Sequence, residues 1–230
     1  MTEAGLHIII VAGGTGSRFG GTLPKQYCDL MGRPVLCHTI EKFHTAFPHA
    51  DLITVVSAAM ADYWAELSAA HNTPCCTIVH GGSTRWESVK KAIDAIRPVG
   101  DDDIVMVHDG ARPLVDIDTI MSVYKSVSPR ASVVPVTDVT ESLRVVDSKG
   151  QSHAVDRSSY RKVVTPQGFM LNDLRQAYSL PYRAEFTDDA SVMSAAGMPD
   201  TILVDSTPVN IKITHPGDIA LAMWHLSNNR

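Results

Sequence analysis

Leu6-His7-Ile8-Ile9-Ile10-Val11-Ala12 runs straight into Gly13-Gly14-Thr15-Gly16-Ser17-Arg18-Phe19-Gly20. The first seven residues read as a strand buried on both faces, because a parallel strand covered by helices on each side loses polar alternation. The glycine run is then the loop at its carboxyl end. Outward from this point the chain alternates short β-branched runs with helical patterns. Pro34 opens a helix to about Phe47, with Val35, Leu36, Ile40 and Phe43 on one side. Strands are expected over Leu52 to Val56, Cys75 to Val79 and Ile104 to Val107, and helices over Met60 to Ala70 and Arg85 to Ile96. This βαβα rhythm predicts the α/β class, with a Rossmann-like, mostly parallel sheet and helices on both faces.

The stretch Thr137 to Val155 breaks the rhythm: it is polar with interspersed valines, and Asp147-Ser148-Lys149-Gly150 signals a turn. It reads as a two-stranded β-arm, at about 137–157, protruding from a single domain over 1–230. The chain returns through Arg161 to Val164. Helices follow over Leu171 to Tyr178 and Asp188 to Ala195, strands over Thr201 to Val204 and Val209 to Ile213, and a last helix over Pro216 to Leu226.

A chain of 230 residues with 44% hydrophobic residues can bury a full core without disulfide staples. Cys28, Cys37, Cys75 and Cys76 lack CxxC spacing and read as free thiols. The formal charge of −5 speaks against a general nucleic-acid binder. The apolar run Leu6 to Ala12 is far too short to span a bilayer. Met1 to Gly5 has no basic or apolar leader, so a cytoplasmic protein with no membrane partner is expected.

Ligands of such sheets bind beyond the carboxyl ends of the strands. Three chemically rich segments fall there. In the first, Gly13, Gly14 and Gly16 let backbone N–H groups approach a phosphate, and Arg18 and Lys25 add positive charge. The loop lacks the GK[ST] ending of a P-loop. It also fails as a dinucleotide fingerprint, with Phe19 where the last glycine should fall, which disfavours an NAD(P)-binding oxidoreductase. In the second, Val107-His108-Asp109-Gly110-Ala111-Arg112-Pro113, Asp109 directly follows a buried strand and suits Mg²⁺, a hard cation that prefers carboxylate and phosphate oxygens. His108 reads as structural, since magnesium does not choose imidazole. The third, Gly81-Gly82-Ser83-Thr84-Arg85-Trp86-Glu87-Ser88, suits a base or ribose and equally suits a capped helix. Farther on, Lys212 between Ile211 and Ile213 reads as a lysine aimed at an anion.

The order GGTGSRFG, PKQY, GGSTRWESV, VHDGARP, VDR, TPQGF, TDDAS and NIKIT resembles the 2-C-methyl-D-erythritol 4-phosphate cytidylyltransferase family. The resemblance implies an enzyme that joins CTP to a small phosphorylated polyol with Mg²⁺ as cofactor. It implies that Arg18 and Lys25 meet the triphosphate, Lys212 the α-phosphate, and Asp109 the metal. Ala12, Gly13, Gly14 and Gly16 would line the phosphates, and Gly82 and Ser88 the cytosine and ribose. Arg112, Arg157, Thr165 and Thr187 would surround the acceptor. It further implies a homodimer with arm exchange, in which Arg157 serves the neighbouring site. Three positions depart from the usual pattern. Gly110 replaces an alanine, and Asp189 replaces what is more often glutamate. The segment Pro135 to Ser142 is altered, so that the acceptor hydroxyl is Thr140 or, with a two-residue insertion, Ser142. A related activity, ribitol 5-phosphate cytidylyltransfer, is the alternative. Thr187-Asp188-Asp189-Ala190-Ser191 favours the methylerythritol enzymes.

Overall fold

The computed structural model describes residues 5–14, 19–20 and 23–228. Its central sheet is built around β1 (Leu6–Ala12). That strand pairs in parallel with β4 (Asp51–Val56) on one side and β6 (Ile104–Asp109) on the other. Two short strands, β2 (Asp29–Leu30) and β3 (Arg33–Pro34), form a small separate ribbon. β5 (Thr77–His80) extends the parallel side from β4.

Beyond β6 the sheet becomes mixed. β7 (Ala131–Asp138) pairs in parallel with β12 (Asp200–Asp205) along one edge. Along the other edge it pairs antiparallel with β10 (Arg161–Val163) and β11 (Gln167–Met170), and β11 in turn borders β6. The expectation of a mostly parallel core with helices on both faces therefore holds.

The two faces are visible in the register. Ile9, Ile53, Val105 and Val107 point to one side, where α3 (Arg85–Ala95), α5 (Leu171–Ala177) and α6 (Asp189–Ala195) cover them. Ile8, Ile10, Leu52 and Met106 point to the other, under α1 (Val35–Ala46), α2 (Ala61–Ala70) and α4 (Ile117–Ser126). With both faces dry, the strand is apolar wherever a side chain has no polar partner. His7 is the polar exception, and both its ring nitrogens face carboxylates, Asp51 and Asp103, each at 3.1 Å.

Three expectations need correction. First, Val209 to Ile213 is not a strand. Its backbone is tied crosswise to the loop after β6: the Ile213 N–H donates to the Ala111 carbonyl at 2.8 Å, and the Arg112 Nη1 donates to the Asn210 carbonyl at 2.9 Å. No ladder can form from such scattered partners. Second, Thr137 and Asp138 belong to the central sheet, where they pair with Lys162 and Arg161. The arm proper therefore starts later, as the hairpin β8 (Leu143–Val146) and β9 (Ser152–Val155). Its turn is the expected one: Asp147 Oδ1 accepts from Lys149 N and Gln151 N, and Gly150 takes a φ of 79°, open to glycine at no steric cost. Third, the late strand and helices are joined by α4, β7 and β11, which the sequence reading passes over. The last helix, α7 (Pro216–Asn228), lies where expected. No helix among the described residues is long and apolar enough to cross a membrane.

Candidate active site

The carboxyl ends of β1, β4 and β6 open onto one cavity of about 480 Å³. Ala12, Gly13 and Gly14 form one wall. Gln26, nearly fully buried, pins this loop by donating its Nε2 to the carbonyls of Ala12 at 2.6 Å and Gly14 at 3.0 Å. Lys25, the residue before it, lines the same cavity. Gly16 and Arg18 lie outside the described residues.

A second wall is the start of α3. Thr84 caps it, its hydroxyl accepting from Glu87 N at 3.0 Å. Ser88 Oγ accepts from Gly82 N at 3.0 Å and donates to the Thr84 carbonyl at 2.8 Å. The segment is thus a capped helix, and Gly82 and Ser88 also line the cavity. The capped-helix reading of this segment holds.

Asp109 ends β6 and forms the floor. Its Oδ2 meets Lys212 Nζ at 3.0 Å and Arg112 Nε at 3.1 Å, while its Oδ1 faces Arg85 Nε at 3.6 Å, beyond hydrogen-bond length. Burial alone would raise the carboxyl pKa, but Lys212, Arg85 and Arg112 outweigh it and hold the group well below the usual carboxylate range. Asp109 is therefore a permanent anion in a nest of cations. Gly110, next to it, is closely packed: a Cβ there would meet Leu36 Cδ1 at 3.0 Å and Ala12 Cβ at 3.1 Å.

Behind the floor runs a chain of hydrogen bonds. Asp109 N donates to Thr165 Oγ1 at 3.1 Å. Thr165 Oγ1 lies 3.0 Å from His108 Nδ1, and His108 Nε2 lies 3.2 Å from the Arg112 carbonyl. A carbonyl only accepts, so Nε2 carries the proton and Nδ1 accepts from the threonine. Burial pushes the His108 pKa down to about 3, which keeps the ring neutral. The structural role expected for His108 follows from this geometry.

Lys212 reaches Asp109 from the irregular 208–214 segment. Asn210 anchors that segment, its Nδ2 donating to the Thr165 carbonyl at 2.9 Å. Ile213 is fully buried beneath. The lysine is thus held by a cross-braced loop instead of a strand.

The remaining expected residues lie elsewhere in the chain. Arg157 borders a second hollow of about 410 Å³ with Asp138, Thr140 and Arg161, at the base of the arm, and donates to the Thr140 carbonyl. Ser142 and Thr187 are exposed and line neither cavity. Arg85 and Gln26 line the main cavity without having been singled out. Arg85 carried a usable signal, because a cation at the first turn of a helix opposes the helix dipole and needs a compensating anion.

The geometry gathers Lys212, Arg112 and Arg85 around the Asp109 carboxylate. The 2-C-methyl-D-erythritol 4-phosphate cytidylyltransferase family matches residues 6–228. The chain belongs to that family. A cytidylyltransferase relative of this name from Porphyromonas gingivalis is 41% identical, covering 96% of this chain and 98% of its own length. One from Phocaeicola vulgatus is 39% identical, covering 94% and 97%. Among solved structures, the cytidylyltransferase of Francisella tularensis is 30% identical with a TM-score of 0.78, covering 96% of this chain and 99% of that one. That of Thermus thermophilus is 26% identical with a TM-score of 0.73, covering 97% and 99%. The cytidylyltransferase match thus runs from the first residue of β1 to the last of α7.

Proposed function

We propose that this chain, at the cavity beyond its strand ends, joins CTP and 2-C-methyl-D-erythritol 4-phosphate to give 4-diphosphocytidyl-2-C-methyl-D-erythritol and pyrophosphate. The observation that carries the reading is the convergence of Lys212, Arg112 and Arg85 on Asp109, at the floor of a cavity walled by a glycine loop. Nothing in the relatives' names favours the ribitol phosphate alternative.

An oxygen of the acceptor phosphate attacks the α-phosphorus in line. A P–O bond forms to the acceptor as the bond to the β-phosphate oxygen breaks, and pyrophosphate leaves. A phosphate monoester is already ionised near neutral pH, so no strong base is needed. Catalysis is positioning and charge stabilisation. Lys25 and Lys212, with Arg18 of the glycine loop, offset charge on the transferring and leaving phosphates. Gly82 and Ser88 hold the nucleoside, and Arg112, Thr165 and Thr187 belong to the acceptor side.

Mg²⁺ fits this site. Among the described residues no group of three His, Cys, Asp or Glu side chains could hold a metal alone. A single carboxylate suits magnesium when phosphate oxygens and water supply the other ligands. Among the described residues, the ion pairs of Asp109 leave its Oδ1 without a cation at hydrogen-bond distance, and it would hold the ion together with the triphosphate. When bound, Mg²⁺ supplies charge stabilisation at the phosphates.

The arm makes the site composite. A lone two-stranded ribbon is marginal in water and needs a surface. Val145 and Val146 on this arm are exposed, as are Tyr160 and Val163 at its base. We read a homodimer in the cytoplasm in which each arm lies on the other subunit, bringing Arg157 and Thr140 or Ser142 to the partner's acceptor site. Mixing Arg157→Ala and Lys25→Ala subunits tests this. Each heterodimer would hold one doubly damaged site and one intact site. Random mixing makes about half the dimers heterodimers, so about a quarter of wild-type pyrophosphate release should return. No recovery after verified exchange would remove Arg157 from the partner's site.

A further inference from the structure

Arg85 stands between two carboxylates. Its guanidinium forks onto Asp189, with Nη1 to Oδ1 at 2.9 Å and Nη2 to Oδ2 at 2.6 Å. Asp189 is fully buried and held from several sides. The Tyr178 hydroxyl donates to Oδ1 at 2.6 Å. The backbone N–H groups of Asp189 and Ala190 both donate to Gln167 Oε1 at 3.1 Å, and Gln167 Nε2 donates to Asp188 Oδ2 at 2.8 Å. What remains of Arg85 is Nε, aimed at Asp109 Oδ1 across 3.6 Å. The other oxygen of Asp109 is already taken by Lys212 and Arg112.

A half-buried guanidinium pairs with the carboxylate that offers it the better fork. We propose that Asp189 is a positioning residue which, by holding Arg85 in that fork, keeps the guanidinium off Asp109 and leaves Oδ1 open to the cavity. The inference rests on Asp109 being the carboxylate that meets Mg²⁺ with CTP. Without Asp189, Arg85 keeps its charge, and among the described residues Asp109 is the carboxylate it still pairs with. Closing the 3.6 Å gap would occupy Oδ1 of Asp109. Asp189 thus acts on the metal site from the far side of Arg85, without touching substrate.

The test is CTP binding by calorimetry, once with excess Mg²⁺ and once with EDTA, reading the ratio of the two affinities. Wild type should bind CTP more tightly with Mg²⁺. In Asp189→Asn the ratio should fall by about tenfold, at the low end of what outer-shell partners of metal ligands contribute, while affinity in EDTA changes little. The double variant R85Q/D189N removes the competing cation and replaces the ion pair by two amides. It should regain most of the ratio. Asp189→Glu, which keeps a fork, should also retain it. A merely structural role would weaken binding equally with and without Mg²⁺, and the double variant would not restore the ratio. An unchanged ratio in folded Asp189→Asn overturns the inference, and so does a folded double variant without Mg²⁺ dependence. The double variant decides alone if the single one does not fold. A wild-type ratio near one would instead overturn the Mg²⁺ reading of Asp109, and the inference with it.

Discussion

Asp109→Asn should reduce turnover by roughly 10³-fold or more, the scale of losing a metal-assisted charge-stabilising group. Asparagine keeps the shape of the side chain and its place at the end of β6, where Asp109 pairs with Val11. It loses the negative charge that Lys212, Arg112 and Arg85 surround. The variant should remain folded, since these strands are held by the apolar residues of two faces. Its melting temperature should drop, because three cations are left without their shared anion. EDTA should remove the activity of the wild type to the same degree, and Mg²⁺ should restore it, whereas no concentration of Mg²⁺ should restore the variant. Full wild-type activity in rigorously metal-free buffer would end the Mg²⁺ proposal.

Lys212→Ala and Lys25→Ala should each lower kcat/KM by roughly 10²–10³, the cost of one preorganised charge-stabilising group. The two lysines come from opposite ends of the chain yet line one cavity. Lys212 is set by its loop: Ile213 anchors below it, Asn210 ties it to Thr165, and its Nζ rests 3.0 Å from Asp109. A group so placed costs no reorganisation as charge builds on the phosphates. The loss should therefore fall mainly on kcat, with a smaller change in KM. A change under about threefold at both positions would mean that the triphosphate lies elsewhere.

The parts of this molecule written in the sequence are those with local causes. β1 is legible because a strand dry on both faces is apolar along most of its length, and its loop because glycines and charges fall together at its end. The turn of the arm is legible from Asp147 and Gly150 alone. The misread parts depend on distant partners. Val209 to Ile213 has strand-like composition, but Ile213 N donates to Ala111 and the Asn210 carbonyl accepts from Arg112, about a hundred residues away. β7 holds Pro135, which argues against a strand, yet Pro135 still pairs across to Val204 and accepts from Val164 N. The site shows the same division. Asp109, Lys25 and the glycines announce themselves by motif. The tie between Arg85 and Asp189 spans 104 positions and is visible only in three dimensions.

On the proposed function, this cavity transfers a cytidylyl group to a phosphorylated polyol. Turnover with CTP labelled at the α- or the γ-phosphate tests it most directly, with 2-C-methyl-D-erythritol 4-phosphate and ribitol 5-phosphate as separate acceptors. Label from the α-phosphate should appear in the polyol product and label from the γ-phosphate in pyrophosphate, with methylerythritol phosphate turned over far faster than ribitol phosphate. Label from the γ-phosphate on the polyol, or faster turnover of ribitol phosphate, would contradict the account.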